Sequence, residues 1–467
     1  MGSGFHIGSP VTIPNRAQIG PESRPDRPRT APRLPHPARW GRLGQKPRPG
    51  SPMNILFVHQ NFPGQYRELF AWLVAQGGHE IVFLTQRAVT QPVRGARVVQ
   101  YRSHHKPAED AYALSKYWEE TCGNGLGAAL AAVKLREAGF TPDIILGHVG
   151  WGELTFLKEV WPDTPIIGYF EYYFLARGGS VGFDPEFPAS DHAPFIMHAR
   201  NAVNFANIQT VDLGQSPTAW QRDTFPESFH SSIYVRHDGI RTDILRPNAD
   251  ASVMLGRLNR SVTVEDEIFT YMARNMEPTR GFHVFMRALP DILAARPGAR
   301  VLIIGGSETS YGRSSGAKGG YRAEMEAEVG DRVDWDRVHF LGKVPYADYQ
   351  KIIQISRCHI YLTVPFVLSW SLLESMSMGA TIVASGTPPV REVITHGENG
   401  LLVDFFDPPG LARQVVEVLE RPGDFAHLGH AARAHVLRHY DFRSRCLPEH
   451  VARINALVPR AKAIEIA

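Results

Sequence analysis

Two arginines have the type and spacing expected of a phosphate-binding pair. Arg274 and Arg280 lie six residues apart in the segment ARNMEPTRGF, after a predicted strand and before a predicted helix. In open parallel sheets, ligands bind beyond the carboxyl ends of the strands. Guanidinium groups form charge-assisted hydrogen bonds to phosphate oxygens, each contributing about 1.5–3 kcal/mol. The pattern therefore predicts a diphosphate site, with two solvated surface arginines as the alternative.

Gly64 and Glu374 could contribute to the same kind of site. Gly64 lies in a short loop between the first predicted strand and a helix, where free N–H groups and the helix dipole favour an anion. A plain strand-to-helix turn would have the same sequence. Glu374 lies in an otherwise apolar helix, and burial of an unpaired carboxylate is costly. It is therefore either solvent-facing or held for a polar ligand, such as the two hydroxyls of a ribose.

The elements that must position these residues alternate between apolar strands and amphipathic helices, which is typical of parallel α/β folds. The first run predicts strands at 53–59, 80–85, 143–146, 166–170 and 232–235. A second run follows a polar, irregular stretch at 247–265 and predicts strands at 268–273, 300–304, 338–341, 359–363, 381–384 and 401–403. Two Rossmann-like domains account for this order.

The domain boundaries follow from these runs and from the charge distribution. Residues 1–52 contain nine basic and two acidic residues, a net charge of +7, whereas the remaining 415 residues carry −4. With 11 prolines and few apolar residues, 1–52 is predicted to be a disordered basic Pro/Arg-rich extension. We place the two Rossmann-like domains at 53–245 and 246–440, and at 441–467 a C-terminal helix that could cross back to the first domain.

These motifs together resemble family 4 of the retaining, nucleotide-sugar-dependent glycosyltransferases, which have the GT-B fold. The resemblance spans roughly residues 53–440 and rests on three features: FPGQ after the first strand, Arg274 with Arg280-Gly281, and Glu374 with Gly379 and Glu392. It implies two facing Rossmann-like domains, with the nucleotide sugar bound mainly by the C-terminal domain and the acceptor by the N-terminal one.

The resemblance also implies a role for each site residue. Arg274 and Arg280 would bind the donor diphosphate, Glu374 the ribose hydroxyls, and Gly64 would lie near the diphosphate. His148 would lie near the sugar or the acceptor, so Arg274, Arg280 and His148 are the expected catalytic residues. Further donor-binding positions are Leu368, Ser369, Val344 and Glu392. The expected acceptor residues are Trp151, Glu171 and Tyr172, in an aromatic run that could equally be the core edge of a strand.

Two positions depart from the family pattern. Arg280 stands where the family usually has Lys, which keeps the charge but changes its geometry. Phe366 stands where the family has a second Glu that contacts the donor sugar. The role of that carboxylate must therefore pass to the backbone around 368–371, pass to Glu392, or be lost.

The sequence thus predicts a retaining, metal-independent and cofactor-free hexosyltransferase that uses a UDP-, GDP- or ADP-linked sugar, with a sugar or glycolipid acceptor in polysaccharide or glycoconjugate biosynthesis. The alternatives are a catalytically silent nucleotide-sugar-binding subunit and a GT-B-fold epimerase or phosphorylase. Nucleic acid is not an expected partner.

A cytoplasmic location is expected. No run approaches 18 apolar residues, the first 30 residues lack the apolar centre of a secretory signal, and the three cysteines lack metal-type spacing. The acid-free stretch 87–106 could touch anionic lipid at the inner membrane face, or be an ordinary basic surface; its basic residues are Arg87, Arg94, Arg97, Arg102 and Lys106.

Overall fold

The computed structural model describes residues 52–256, 259–311, 314–459 and 462–466. The predicted disordered extension, apart from Pro52, lies outside the described residues. Within them, two parallel sheets with helices on both faces make up the fold. The prediction of two Rossmann-like α/β domains is confirmed.

The first sheet contains seven parallel strands in the order β3-β2-β1-β4-β5-β6-β7. The strands are β1 (Asn54–Val58), β2 (Glu80–Thr85), β3 (Arg97–Gln100), β4 (Ile144–His148), β5 (Ile166–Tyr169), β6 (Leu213–Ser216) and β7 (Ile233–Val235). The order reverses direction beside β1, so loops after β1 and β4 flank a crevice where ligands of such sheets bind.

The second sheet has six parallel strands in the order β12-β11-β10-β13-β14-β15. They are β10 (Ile268–Asn275), β11 (Arg300–Gly306), β12 (Val338–Gly342), β13 (Cys358–Tyr361), β14 (Ile382–Ser385) and β15 (Leu401–Val403). Here too the strand order reverses beside the first strand of the sheet, β10. Arg280 and Phe366 follow β10 and β13 in sequence and therefore lie at the same edge.

Helices cover both faces of each sheet. Those of the first domain are α1 (Arg67–Gln76), α2 (Lys116–Glu137), α3 (Leu157–Val160), α4 (Ala193–Arg200), α5 (Ala202–Thr210) and α6 (Ala219–Asp223). Those that follow are α7 (Phe282–Ala295), α8 (Gly320–Val329), α9 (Tyr346–Gln354), α10 (Trp370–Ser377), α11 (Pro388–Arg391), α12 (Pro408–Glu420), α13 (Pro422–His439) and α14 (Leu447–Leu457). None of the helices in these described ranges has the length and apolar content needed to cross a membrane.

The last helix packs on the first domain. Leu447, Val451 and Ile454 of α14 are buried in the apolar cluster that contains β1 and α1. Arg236 and Glu449 reinforce this contact with an ion pair at 2.5 Å. The chain therefore returns to its first domain after completing the second, and α14 contributes to the core on one face of the first sheet.

The polar stretch 247–265 was wrongly expected to be irregular. It contains an antiparallel hairpin of β8 (Ser252–Leu255) and β9 (Arg260–Thr263). Strands β3 and β6 were also missed. Both have only four residues, RVVQ and LGQS. β6 contains no β-branched or aromatic residue, and no residue of β3 is buried.

Candidate active site

A hydrogen-bonded network of four side chains lies at the carboxyl edge of the first sheet. His59 follows β1 and His148 ends the adjacent strand β4. The Nε2 atom of His148 lies 3.3 Å from Oε2 of Glu171, and Gln65 donates to Oε1 of Glu171 at 2.9 Å. His59 Nε2 contacts the Gln65 carbonyl oxygen at 2.5 Å. Both oxygens of Glu171 are therefore held by neighbours.

Backbone contacts orient both imidazoles. The N–H of Gly150 donates to Nδ1 of His148 at 3.0 Å, which leaves Nε2 of His148 as the donor to Glu171. Nδ1 of His59 lies 2.9 Å from the N–H and 2.7 Å from the carbonyl oxygen of Asn61. Burial lowers the pKa of His59 to about 3. Burial alone would raise the pKa of Glu171, but the hydrogen bonds from His148 and Gln65 and the two nearby imidazoles together outweigh it and hold that pKa below its ordinary value. The network thus contains a neutral His59 and an ionised Glu171.

Trp151 and Gly64 complete this wall of the cleft. The indole of Trp151 stacks on His148, with ring centroids 3.8 Å apart and an interplanar angle of 7°. Gly64 has a φ of +57°, and a Cβ there would lie 2.3 Å from the ring of His59. Glycine is therefore required for the loop to pass over His59. The structure places the predicted residues His148, Trp151 and Glu171 in one contiguous group.

Arg280 lies on the facing domain, buried at the edge of the second sheet. Its Nη1 donates to the hydroxyl of Thr363 at 2.8 Å and to the carbonyl of Val367 at 3.1 Å. The rings of Phe366 and Tyr311 lie 5.5 and 5.8 Å from the guanidinium carbon. Phe366 stands where the family pattern has a carboxylate. Its ring thus makes a cation–π contact with Arg280, the residue predicted to bind the donor diphosphate.

Glu374 is bonded across the cleft. Its side chain is 5% exposed, and its Oε1 accepts from Tyr346 at 2.8 Å and from Arg67 of the first domain at 3.3 Å. The Arg67 guanidinium also lies 5.0 Å from the ring of Trp370. The sequence left open whether Glu374 faces solvent or is held for a polar ligand. This geometry does not match a solvent-facing side chain.

Three other predicted donor residues lie around this group. Ser369 is the N-cap of α10, and its N–H donates to the hydroxyl of Tyr361 at 2.9 Å. Leu368, its neighbour in sequence, is partly buried against the apolar core. Val344 follows β12 and is also partly buried. Tyr172, predicted for the acceptor, lies 5.2 Å from the ring of Phe366 and so joins the two domains.

Glu392 is not part of this group. The carboxylate of Glu392 accepts the N–H groups of Ala219 and Trp220, both at 2.7 Å, at the start of α6. It stabilises a helix N-terminus in the other domain, so in this arrangement it does not replace the carboxylate absent at Phe366. Arg274 is exposed at the end of β10.

Several residues of the site were missed. Asp238 is buried between the domains, where it accepts from Tyr169 at 3.2 Å and from Trp370 at 2.8 Å. Within the described part of the chain its Oδ1 has no hydrogen-bond partner, and burial raises the pKa of Asp238 to about 7. His59 could have been found, because it follows an apolar run as His148 does. Gln65 ends the FPGQ motif but was given no role of its own, and Arg67 carries no local signal, since its partner Glu374 is distant in sequence.

Two family models cover most of this fold. Residues 77–245 match the model described as glycosyl transferase family 4 group, and residues 258–435 match glycosyl transferases group 1. The chain belongs to the family 4 glycosyltransferases. The two matches fall on the first and second sheets, so membership rests on both domains and not on a single motif.

Curated relatives of this family member include two actinobacterial proteins. This chain is 29% identical over 190 residues to the phosphatidyl-myo-inositol mannosyltransferase of Mycolicibacterium smegmatis, and the match covers 40% of this chain and 43% of that protein. It is 28% identical over 217 residues to the D-inositol 3-phosphate glycosyltransferase of Acidothermus cellulolyticus, covering 45% of each chain. Each match therefore spans less than half of the relative's length.

Solved structures agree with the GT-B fold. The Anabaena protein HepE in complex with UDP-glucose superposes with a TM-score of 0.64 at 15% identity, covering 86% of this chain and 99% of that one. The sucrose-phosphate synthase of Thermosynechococcus elongatus gives a TM-score of 0.62 at 17% identity, covering 86% and 99%. At such identities the likeness establishes the two-domain GT-B fold.

Proposed function

We propose that the protein is a retaining glycosyltransferase that moves a hexose from a nucleoside-diphosphate sugar to a sugar or glycolipid acceptor, without a metal or cofactor. The observation that carries this proposal is the placement of Arg280 and Glu374 opposite the network of His148 and Glu171, in a member of family 4. The second domain supplies a cation for the diphosphate and a carboxylate for the ribose. Across the cleft, the first domain supplies polar and aromatic side chains.

In this proposal the side chains act through charge. Arg280 stabilises the negative charge that develops on the leaving diphosphate, with the exposed Arg274 and the N–H groups at Gly64 as further donors. The ionised Glu171, held by His148 and Gln65, can stabilise positive charge on the sugar in the transition state. The leaving phosphate oxygen accepts the acceptor proton, so no side-chain nucleophile is needed.

The relatives guide the choice of donors to test. One similar protein, from Corynebacterium glutamicum, is described as GDP-mannose-dependent and as acting on a phosphatidylinositol monomannoside. HepE was crystallised with UDP-glucose. We therefore propose a UDP- or GDP-linked sugar as the preferred donor, ahead of an ADP-linked sugar. We also propose a cytoplasmic setting and a role in polysaccharide or glycoconjugate biosynthesis.

A thermal-shift screen tests the donor assignment. Because a ligand that binds only the folded state raises the melting temperature, the matching nucleoside diphosphate at 100 times its Kd should stabilise the protein by about 2.7 kcal/mol. UDP, GDP and ADP are compared with the matching nucleoside monophosphates. Equal shifts for diphosphate and monophosphate would contradict a diphosphate site at Arg280.

The aromatic contact between Phe366 and Arg280 favours a second candidate, a nucleotide-sugar-binding subunit without catalysis. Phe366 cannot accept a hydrogen bond from a sugar hydroxyl. The two candidates differ in turnover: the subunit would bind a donor and neither hydrolyse nor transfer it, with any acceptor supplied.

We also propose a peripheral contact between the first domain and anionic lipid. The basic side chains of 87–106 are exposed, and a groove of about 550 Å³ beside them is lined by Arg97, Arg102, Lys134 and Leu130, the last 45% exposed. Basic charge beside apolar surface suits an anionic membrane. Co-sedimentation with vesicles containing phosphatidylglycerol, and its loss above 0.5 M salt, is the expected result; equal binding to neutral vesicles would contradict it.

A further inference from the structure

A cavity of about 590 Å³ lies between the two domains, beside the Phe366 ring. One wall comes from the segment that connects β5 to α5 in the first domain, including Tyr172, Phe174 and Arg200. The other wall includes Tyr311 and Phe366 of the second domain. Binding sites for small molecules typically have volumes of about 300–1,000 Å³ and aromatic walls, so this cavity has the size and the surface for a sugar derivative.

Arg200, the last residue of α4, lines this cavity without an anionic partner. Its guanidinium carbon lies 4.5 and 4.3 Å from the ring centroids of Tyr117 and Phe174, which are 5.8 Å apart and nearly perpendicular to each other. Its Nε is buried and has no hydrogen-bond partner among the residues that the structure describes. No carboxylate in the described ranges forms an ion pair with it. The two rings contact the guanidinium by cation–π interactions and do not neutralise its charge.

The acidic residues of the same cavity are already partnered. Asp184 lies 2.9 Å from Nε2 of His283, and both are buried. Glu186 forms two bonds to Arg287, at 2.6 and 2.7 Å. Arg200 is therefore the cation in this cavity, among the residues the structure describes, that is left to bind a charged ligand.

We propose that this cavity is the acceptor subsite and that Arg200 binds an anionic group, a phosphate or a carboxylate, on the acceptor. The edge of a guanidinium matches either group with two parallel hydrogen bonds. The rings of Tyr172 and Phe366, 5.2 Å apart, close the cavity beside Arg280. An acceptor here has aromatic surface for its sugar ring and a cation for its charge. This inference rests on the proposed function and adds the class of acceptor.

Binding of three probes to the full chain tests the inference: glucose, glucose 6-phosphate and glucuronate. Isothermal titration should give at least a tenfold lower Kd for one of the two charged sugars than for glucose, because charge-assisted hydrogen bonds exceed neutral ones. Preference for glucose 6-phosphate identifies a phosphate, and preference for glucuronate a carboxylate. Equal affinity for all three sugars, or no binding of any, overturns the inference.

Variants assign the preference to Arg200. Arg200→Gln should abolish it, while Arg413→Gln, which removes an exposed cation on α12, should preserve it. If Arg200→Gln lowers the melting temperature, Arg200→Lys keeps the charge and should keep part of the preference. A preference that survives Arg200→Gln overturns the inference.

Nucleotide release from the donor, measured on the unmodified protein without acceptor, separates this result from the proposed function. A protein that releases nucleotide and shows no anionic preference contradicts only the acceptor inference. A protein that shows the preference and uses no nucleotide sugar contradicts the proposed function.

Discussion

Glu374→Gln should weaken the binding of a free nucleoside diphosphate. The substitution preserves the shape of the side chain and removes its charge. If the carboxylate accepts hydrogen bonds from the ribose, the loss per charge-assisted bond is about 1.5–3 kcal/mol. At 1.36 kcal/mol per tenfold change, that corresponds to about a 10- to 150-fold higher Kd.

The fold should tolerate this change. The Gln carbonyl can still accept from Tyr346, which donates to Glu374 at 2.8 Å in the parent. The lost ion pair with Arg67 is long, at 3.3 Å, and Arg67 is 34% exposed and keeps Glu68 at 2.7 Å. The substitution removes the buried charge of Glu374 and leaves no unpaired buried charge behind. The melting temperature should therefore fall by only a few degrees.

Isothermal titration with UDP, GDP and ADP measures the effect. Glu326→Gln is the matched control, because Glu326 also pairs with an arginine, Arg322 at 2.8 Å, and lies on the outer helix α8. The control should bind nucleotide as the parent does. A Glu374→Gln protein that binds the free diphosphate within twofold of the parent would refute the ribose assignment.

Substitutions at three further residues test other parts of the site. Arg280→Ala should lower kcat/KM for the donor by about 30-fold, a loss of about 2 kcal/mol, and Arg280→Lys should recover part of it; activity of the Ala variant within twofold of the parent would exclude a diphosphate role. Glu171→Gln should reduce kcat at least tenfold and leave the Kd of the nucleoside diphosphate unchanged, and the reverse pattern would move Glu171 to nucleotide binding. Burial raises the pKa of Asp238 to about 7, so the folded parent binds an extra proton and loses stability as pH rises from about 4 to 7. Asp238→Asn does not titrate, and its melting temperature relative to the parent should be higher at pH 8 than at pH 5; the same difference at both pH values would contradict this.

The sequence predicts the sheet strands well where they are buried on both faces. Segments such as 55–58 and 301–304 are continuous apolar runs, because both sides of a parallel strand pack against helices. The edge strand β3, RVVQ, has four residues, none of them buried, and it could not be told from a loop. The hairpin strands β8, SVML, and β9, RSVT, are equally short, and much of their surface is exposed.

The site is predictable only where a residue follows a strand in a recognisable pattern. Arg280 and His148 meet that condition. The bond between Arg67 and Glu374 joins positions 307 residues apart, and the bonds from Glu392 join positions 172 and 173 residues apart. No local pattern specifies such contacts, because they depend on how the two domains face each other. The same holds for Asp238, whose partners Tyr169 and Trp370 come from different domains.

The most direct test of the central claim is release of nucleoside diphosphate by the purified full chain. UDP-glucose, GDP-mannose and ADP-glucose are each incubated with neutral and charged sugar acceptors, with and without EDTA. We expect release from one donor, stimulated by one class of acceptor, unaffected by EDTA and about 30-fold slower in Arg280→Ala, with an α-linked product by proton NMR. No release from any of the three donors, or equal release by the parent and Arg280→Ala, would contradict the assignment of this cleft as a glycosyltransferase active site.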